Sequence, residues 1–188
     1  QIDIVMSGLV ATPNRARIWG FSKSPMDLTL GLLVRDHQRK TFASVDNFKS
    51  RKDLQLGVVQ GDPAFERWIQ NALPLAEIVE VSSPRKFLRG KLPDMDAVLY
   101  SAEGGSAWTL IYPDFSIVVP ENTDVRAPMI YPMPKGDAEW IGFVSSWVEM
   151  KLKSGAVDRL FDHWISGGGA EPTEPRWSVI RDVLHWVE

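Results

Sequence analysis

Apolar positions fall into short strand-length runs over residues 1–119 and into helical spacing from Asp137 onward. Ile2-Asp3-Ile4-Val5-Met6, Leu28-Thr29-Leu30-Gly31-Leu32-Leu33-Val34, Leu54-Gln55-Leu56-Gly57-Val58-Val59, Ile78-Val79-Glu80-Val81, Met95-Asp96-Ala97-Val98-Leu99-Tyr100 and Phe115-Ser116-Ile117-Val118-Val119 predict strands. Helix signals lie between them. Thr12-Pro13-Asn14-Arg15-Ala16-Arg17 reads as an N-cap with proline at the first helical position. Ser44-Val45-Asp46-Asn47-Phe48 and Ser83-Pro84-Arg85-Lys86-Phe87-Leu88 each open a short helix. Gln60-Gly61-Asp62-Pro63 closes a strand and starts a helix, with Asp62 placed to cap it. Strands alternating with helices predict an α/β fold with a parallel or mixed sheet covered by helices.

The later chain is read differently. Prolines at 128, 132 and 134 keep residues 127–136 extended or looped, as an edge strand running back across the molecule. Trp140, Val144, Trp147, Val148 and Leu152 share a helix face that Gly155 interrupts, and a second helix carries Val157, Leu160, Phe161 and Trp164. Packing is the default expectation for Trp19, Trp68, Trp140, Trp147 and Trp164. Residues 167–188 are expected to be a linker followed by an amphipathic helix with Trp177, Ile180, Leu184 and Val187 on one stripe. A helix that short is marginal alone, so it must dock on this domain, on a neighbour or near a membrane surface.

Composition narrows the function classes. In 188 residues, 21 Lys plus Arg against 24 Asp plus Glu leave a net charge of −3, which supplies no bulk positive field for nucleic acid. The basic residues Arg35, Arg39, Lys40, Lys49, Arg51 and Lys52 are read as a solvated surface around a chain crossing and a helix end. The absence of cysteine excludes disulfides, thiolate metal sites and cysteine nucleophiles. No segment approaches the roughly 18 continuous apolar residues of a membrane span, and the start lacks a signal-peptide pattern. His37, His163 and His185 have no ligand-spaced partners, and Asp162 beside His163 diverges from it on a helix, so no metal or cofactor is expected.

Several segments together resemble one known family. Asp3-Ile4-Val5-Met6-Ser7-Gly8-Leu9 followed by Thr12-Pro13-Asn14-Arg15-Ala16 and Phe21-Ser22 is similar to the first lobe of family 3 solute-binding proteins, the amino-acid receptors of uptake transporters. Leu56-Gly57-Val58-Val59-Gln60-Gly61, Gly90-Lys91-Leu92 leading to Met95-Asp96-Ala97-Val98, Pro134-Lys135-Gly136-Asp137, and Lys153-Ser154-Gly155 with Leu160-Phe161 and Trp164 continue the pattern in order. The resemblance implies a type 2 periplasmic-binding-protein-like fold of two lobes joined by two crossovers. Residues 1–26 and 137–166 would form a first lobe lacking its usual start, 27–38 and 116–136 the crossovers, and 39–115 the second lobe.

The same resemblance implies a function, which is non-enzymatic binding of a small carboxylate-bearing solute, amino-acid-like or an organic acid, for transport or sensing. The partner would be a membrane permease or a fused membrane domain, and the location periplasmic or extracytoplasmic. The alternatives are a sensory or structural module of a larger membrane protein and, behind it, a dehydratase-like enzyme. Read from the residues alone, Arg15 is either a ligand residue or a partner in a surface or packing ion pair. Matched to the family it becomes the arginine that grips a carboxylate, a role suited to a guanidinium's permanent charge and paired donors. Ser7, Gly8 and Val10 would offer main-chain groups to the same ligand end, and Gly61 and Asp62 would face them from the second lobe.

The resemblance departs from the family after Tyr100. Relatives that bind α-amino acids carry an aspartate at the position of Ser101 to neutralise the ligand ammonium. A serine supplies no charge, and a cation buried without a counter-charge is costly. Either Glu103, two residues on, reaches the cleft, or the ligand is not a standard α-amino acid. Tyr100 and Trp108 flank this loop and either line the cleft or pack in the core.

Overall fold

The computed structural model describes residues 2–59, 63–121, 123, 125–166 and 168. Strands are β1 (Leu9–Val10), β2 (Trp19–Phe21), β3 (Asp27–Arg35), β4 (Gln55–Val59), β5 (Glu77–Val81), β6 (Ala97–Ser101), β7 (Phe115–Val118), β8 (Arg126–Ile130) and β9 (Pro132–Pro134). Helices are α1 (Pro13–Ile18), α2 (Arg39–Phe42), α3 (Pro63–Ala72), α4 (Arg85–Leu88), α5 (Ala102–Ile111), α6 (Ala138–Lys153) and α7 (Ala156–Trp164). The main sheet runs β1-β8-β3-β6-β4-β5, with β7 also on β3, and β2 pairs with β9 in a separate ribbon. It is a mixed sheet, since β4 lies parallel to β5 and β6 while β3 is antiparallel to β6, β7 and β8.

β3 organises the molecule because both of its faces are covered, as a near-continuous apolar run requires. Leu30, Leu32 and Val34 point to one face and join Leu56, Val58, Ala97 and Leu99 in a core closed by Phe42, Phe48, Ile69 and Leu73. Leu33 points the other way, with Val98, Val81, Phe87, Leu88 and Met95. This alternation is the strand period of two. Along its length β3 also changes neighbours. Asp27 to Thr29 pair with β8, and from Leu30 onward the strand pairs with β6.

At the β8 end the β2–β9 ribbon, α1, α6 and α7 gather. Lys135 donates through Nζ to the carbonyls of Ala16 and Arg17, and Ile141 of α6 sits where a side chain on Gly20 would fall. Helix α6 begins as expected, with the Asp137 carboxylate accepting from the Trp140 N–H at 2.9 Å. Gly155 separates α6 from α7 at φ +66°, a conformation that favours glycine.

Four expectations are corrected. Residues 2–6 form no strand; Val5 N–H donates to Pro132 O and the Trp140 indole N–H to Asp3 O, and Ile2, Val5 and Met6 are exposed because no ladder flanks the segment among the described residues. The proline-containing stretch is not all edge, since β8 lies between β1 and β3. Its prolines are tolerated because carbonyls carry the pairing there, as where Pro128 O accepts from Ala11 N–H at 2.9 Å. Ser44 leads only into a single 3₁₀ turn, Val45–Asn47. Trp19 and Trp164 do not pack into the core; they are 43% and 73% exposed, Trp164 with its ring edge-on to His163. The expected linker and C-terminal helix lie outside the described residues, apart from Gly168.

The cations read as a solvated surface are partly structural. Arg35 donates to the Met95 and Pro93 carbonyls, at 2.9 and 3.0 Å. Arg51 bridges Asp53 and the mostly buried Asp96, whose other oxygen accepts from Gln55 N–H at 3.0 Å.

Candidate functional site

A cavity of about 280 Å³ opens where β1, the start of β3 and the carboxyl ends of β4 and β6 converge. Strand ends of this kind are where open α/β sheets hold ligands. Gly8, Leu9 and Val10 form one side with Arg15, Leu28 forms the floor of β3, and Val58, Val59, Leu99, Tyr100 and Ser101 form the other side.

Arg15 arrives there through local sequence rules. Thr12 caps α1 by accepting from the Arg15 N–H at 3.2 Å, and Pro13 occupies the first helical position. The cap orients the first turn so that the Arg15 side chain folds back over β1. One guanidinium nitrogen, Nη1, donates to Val10 O at 2.7 Å. That bond uses one of the five N–H donors of the group and sets its pose at the cavity wall. β1 is itself fixed by pairing with β8 and by a tight turn in which Ser7 O accepts from Leu9 N–H at 2.7 Å.

On the opposite side Ser101 ends β6 and caps α5, its hydroxyl accepting from the Gly104 N–H at 3.2 Å. Helix α5 was not expected from sequence. Its glycines serve close packing, since a side chain on Gly105 would strike Ile117 and one on Gly104 would strike Tyr100. The signal that marked the helix was the serine three residues before Gly104.

The structure brings together Gly8, Val10, Arg15, Tyr100 and Ser101 at one cavity. Ser7 stays exposed behind the turn and contributes its carbonyl to that turn rather than to the wall. Glu103 does not line the cavity. Both of its carboxylate oxygens lie 3.1 Å from the Thr29 backbone nitrogen and accept its N–H. Gly61 and Asp62 lie outside the described residues. Trp108 packs against the Leu33 core, with the Arg85 guanidinium over its ring at 5.2 Å. Sequence reading missed the strand-end positions Leu28, Val58, Val59 and Leu99 at the cavity, because Leu28, Val58 and Leu99 carry core side chains there. For Val58 and Val59 the available signal was their place just before the Gln60-Gly61-Asp62-Pro63 junction.

No group of three or more His, Cys, Asp or Glu side chains able to hold a metal occurs among the described residues. No helix among them is long and apolar enough to cross a membrane.

Comparison with known structures gives the fold. An ancestral amino acid-binding protein, a precursor of cyclohexadienyl dehydratase, is similar with TM-score 0.69 at 24% identity, over 87% of this chain and 69% of that one. An amino acid ABC transporter substrate-binding protein from Streptococcus pneumoniae, bound to L-arginine, gives 0.72 at 19% identity, over 87% and 68%. An ancestral arginine-binding protein bound to glutamine gives 0.69 at 20% identity, over 87% and 71%. A comparison with curated protein sequences finds no match. The family model for bacterial extracellular solute-binding proteins, family 3, matches residues 1–167. With the curled mixed sheet and the cavity at its strand ends, that match over most of the chain establishes the kinship: this protein belongs to family 3 of the bacterial extracellular solute-binding proteins.

Proposed function

We propose that this chain binds a small carboxylate-bearing solute at the cavity beside Arg15, between two lobes that close on it. The observation that carries the reading is the position of Arg15, at the wall of a cavity whose far side is Tyr100 and Ser101. A guanidinium held by the Val10 carbonyl presents a fixed charged fork to a planar anion.

In this reading residues 1–26 and 137–166 belong to the first lobe and 39–115 to the second, with 27–38 and 116–136 crossing between them. The change of partners along β3, from β8 at Asp27–Thr29 to β6 and β7 beyond it, supports that division. A solute touching both sides favours the closed arrangement, and one touching a single side shifts little. The closed form is what a membrane permease or a fused membrane domain would read, in a periplasmic or extracytoplasmic location. The reading is one of binding without turnover, and Glu103, in the first turn of α5, is engaged with Thr29.

Calorimetric titration of the chain with amino acids and simple carboxylates tests it. Saturable binding should fall roughly 10- to 100-fold in Arg15→Ala, the equivalent of about 1.5–3 kcal/mol for a charged hydrogen bond. Binding that survives Arg15→Ala unchanged would remove the carboxylate grip from the proposal.

A further inference from the structure

We infer that α4 and the end of α5 form a face that lies against a bilayer surface of anionic phospholipid headgroups. The two helices cover the same side of the sheet, since Phe87 and Leu88 of one and Trp108 of the other pack with Leu33 and Val98. They also touch each other, with the Arg85 guanidinium 5.2 Å from the centre of the Trp108 ring. None of the residues named below lines the cavity beside Arg15.

Because Phe87 and Leu88 face inward, α4 and the turn after it leave Arg85, Lys86, Arg89 and Lys91 exposed. Gly90, at φ +67°, closes the helix, and the Lys91 N–H donates to Lys86 O at 3.0 Å. That turn folds one lysine back onto the backbone of another, and its glycine satisfies the helix end whatever charges surround it. None of the four cations pairs with a carboxylate among the described residues, although Glu80, Asp94 and Asp114 are exposed nearby in sequence. Elsewhere Lys23, Arg39, Lys49, Arg51 and Lys153 each meet one. In a chain of net charge −3 this is a local reversal of sign, and its self-repulsion is not offset within the fold.

Helix α5 adds the apolar part. Its one acid, Glu103, is turned to Thr29, and at the other end Leu110 and Ile111 stand 86% and 67% exposed. Ile111 lies three residues beyond Trp108, so it shares the side of α5 on which Arg85 rests. Acidic side chains alone would answer the cations and leave these aliphatics in water. A bilayer answers both, with phosphates for the cations and the acyl boundary for the aliphatics.

The test is co-sedimentation of the full chain with vesicles of phosphatidylcholine alone and of phosphatidylcholine and phosphatidylglycerol in equal parts, at low and high salt. The chain should partition roughly tenfold or more in favour of the anionic vesicles, and salt should erase the preference. Each Lys or Arg near such a surface is worth about a fivefold gain, so Lys86→Gln, Arg89→Gln and Lys91→Gln combined should lose about 100-fold. Leu110→Ser with Ile111→Ser should lose roughly tenfold. Both variants should keep the parent's circular dichroism and melting temperature, as substitutions of exposed side chains, and Lys86→Arg with Lys91→Arg should keep its vesicle binding. Equal association with both vesicles, association with neither, or full association of the triple variant overturns the proposal. Salt-sensitive capture on immobilised polyglutamate without vesicle association also overturns it, in favour of an acidic protein partner.

Discussion

Glu103 holds Thr29 at the point where the pairing of β3 with β8 on one edge gives way to pairing with β6 on the other. The Leu30 N–H points to the β8 side and donates to Val125 O at 2.9 Å, so the N–H of Thr29 points to the opposite edge. On that edge β6 has ended at Ser101, opposite Leu30, and no strand carbonyl remains to accept. Glu103, in the first turn of α5, takes its place. Glu103→Ala should therefore destabilise the fold by about 1–3 kcal/mol, the cost of leaving a half-buried backbone donor unpaired. Glu103→Gln, which keeps one acceptor oxygen, should lose less than half as much. Urea midpoints at constant m-value check both, and an Ala variant as stable as the parent would show that the clasp contributes nothing.

Arg15 offers a finer test than deletion. Lysine keeps the charge but loses the planar fork, so Arg15→Lys should weaken solute binding by roughly tenfold, short of the loss in Arg15→Ala. Thermal unfolding without solute should change little, because α1 has no buried residues and its cap is made by Thr12. A lysine variant with full affinity would mean that point charge, rather than the fork, holds the ligand.

Two helical glycines should respond in opposite directions to the same substitution. In α6 a side chain on Gly142 would meet nothing within 4 Å, so Gly142→Ala should stabilise by about 0.8–1 kcal/mol through helix propensity. In α5 a Cβ on Gly105 would lie 2.5 Å from Ile117 Cδ1, 2.7 Å from Cγ1 and 3.1 Å from Cβ. The last of these is anchored to β7 and cannot swing away, so overpacking of about 1–3 kcal/mol should exceed the propensity gain. Gly105→Ala should lower the denaturation midpoint, and a rise in both variants would contradict the packing argument.

The glycines in the first turn of α5 explain what the sequence conceals. Glycines at 104 and 105 weaken the helical pattern after Ser101, and their purpose becomes visible only when Ile117 and Tyr100 are placed against them. β3 was legible because the near-continuous apolar run from Leu28 to Val34 can hardly be anything but a strand covered on both faces. α1 was legible because Thr12 and Pro13 announce a helix start by local chemistry alone. Residues 2–6 carry the same apolar signal as a strand, yet a strand needs a partner, and pairing is a tertiary fact. For the site, Arg15, Tyr100 and Ser101 carried chemical labels that sequence could read. The direction of Glu103 did not, since it depends on which strand runs out of acceptors beside Thr29.

Acid should act on the fold through Glu149. Its carboxylate accepts from Lys153 at 2.8 Å one helical turn along α6 and from Lys23 at 2.6 Å in the loop before β3, which ties that loop to the helix. Hydrogen bonds from Lys153 and then Lys23, with the Coulomb attraction of both, lower its pKa from 4.5 to about 2. A carboxylate whose folded pKa is depressed contributes stability that is fully present above its unfolded pKa and is lost as pH falls through the folded one. The contribution is therefore whole above pH 4.5 and disappears as pH falls through about 2. The three groups are solvent-exposed, so their effect is modest and screened by salt. Melting curves of the parent and Glu149→Gln should differ at pH 7 and converge as pH drops through that window, and the difference should shrink in about 1 M salt, where the screening length is about 3 Å. A gap that stays constant from neutral pH to below 2 would show that Glu149 acts through packing rather than charge.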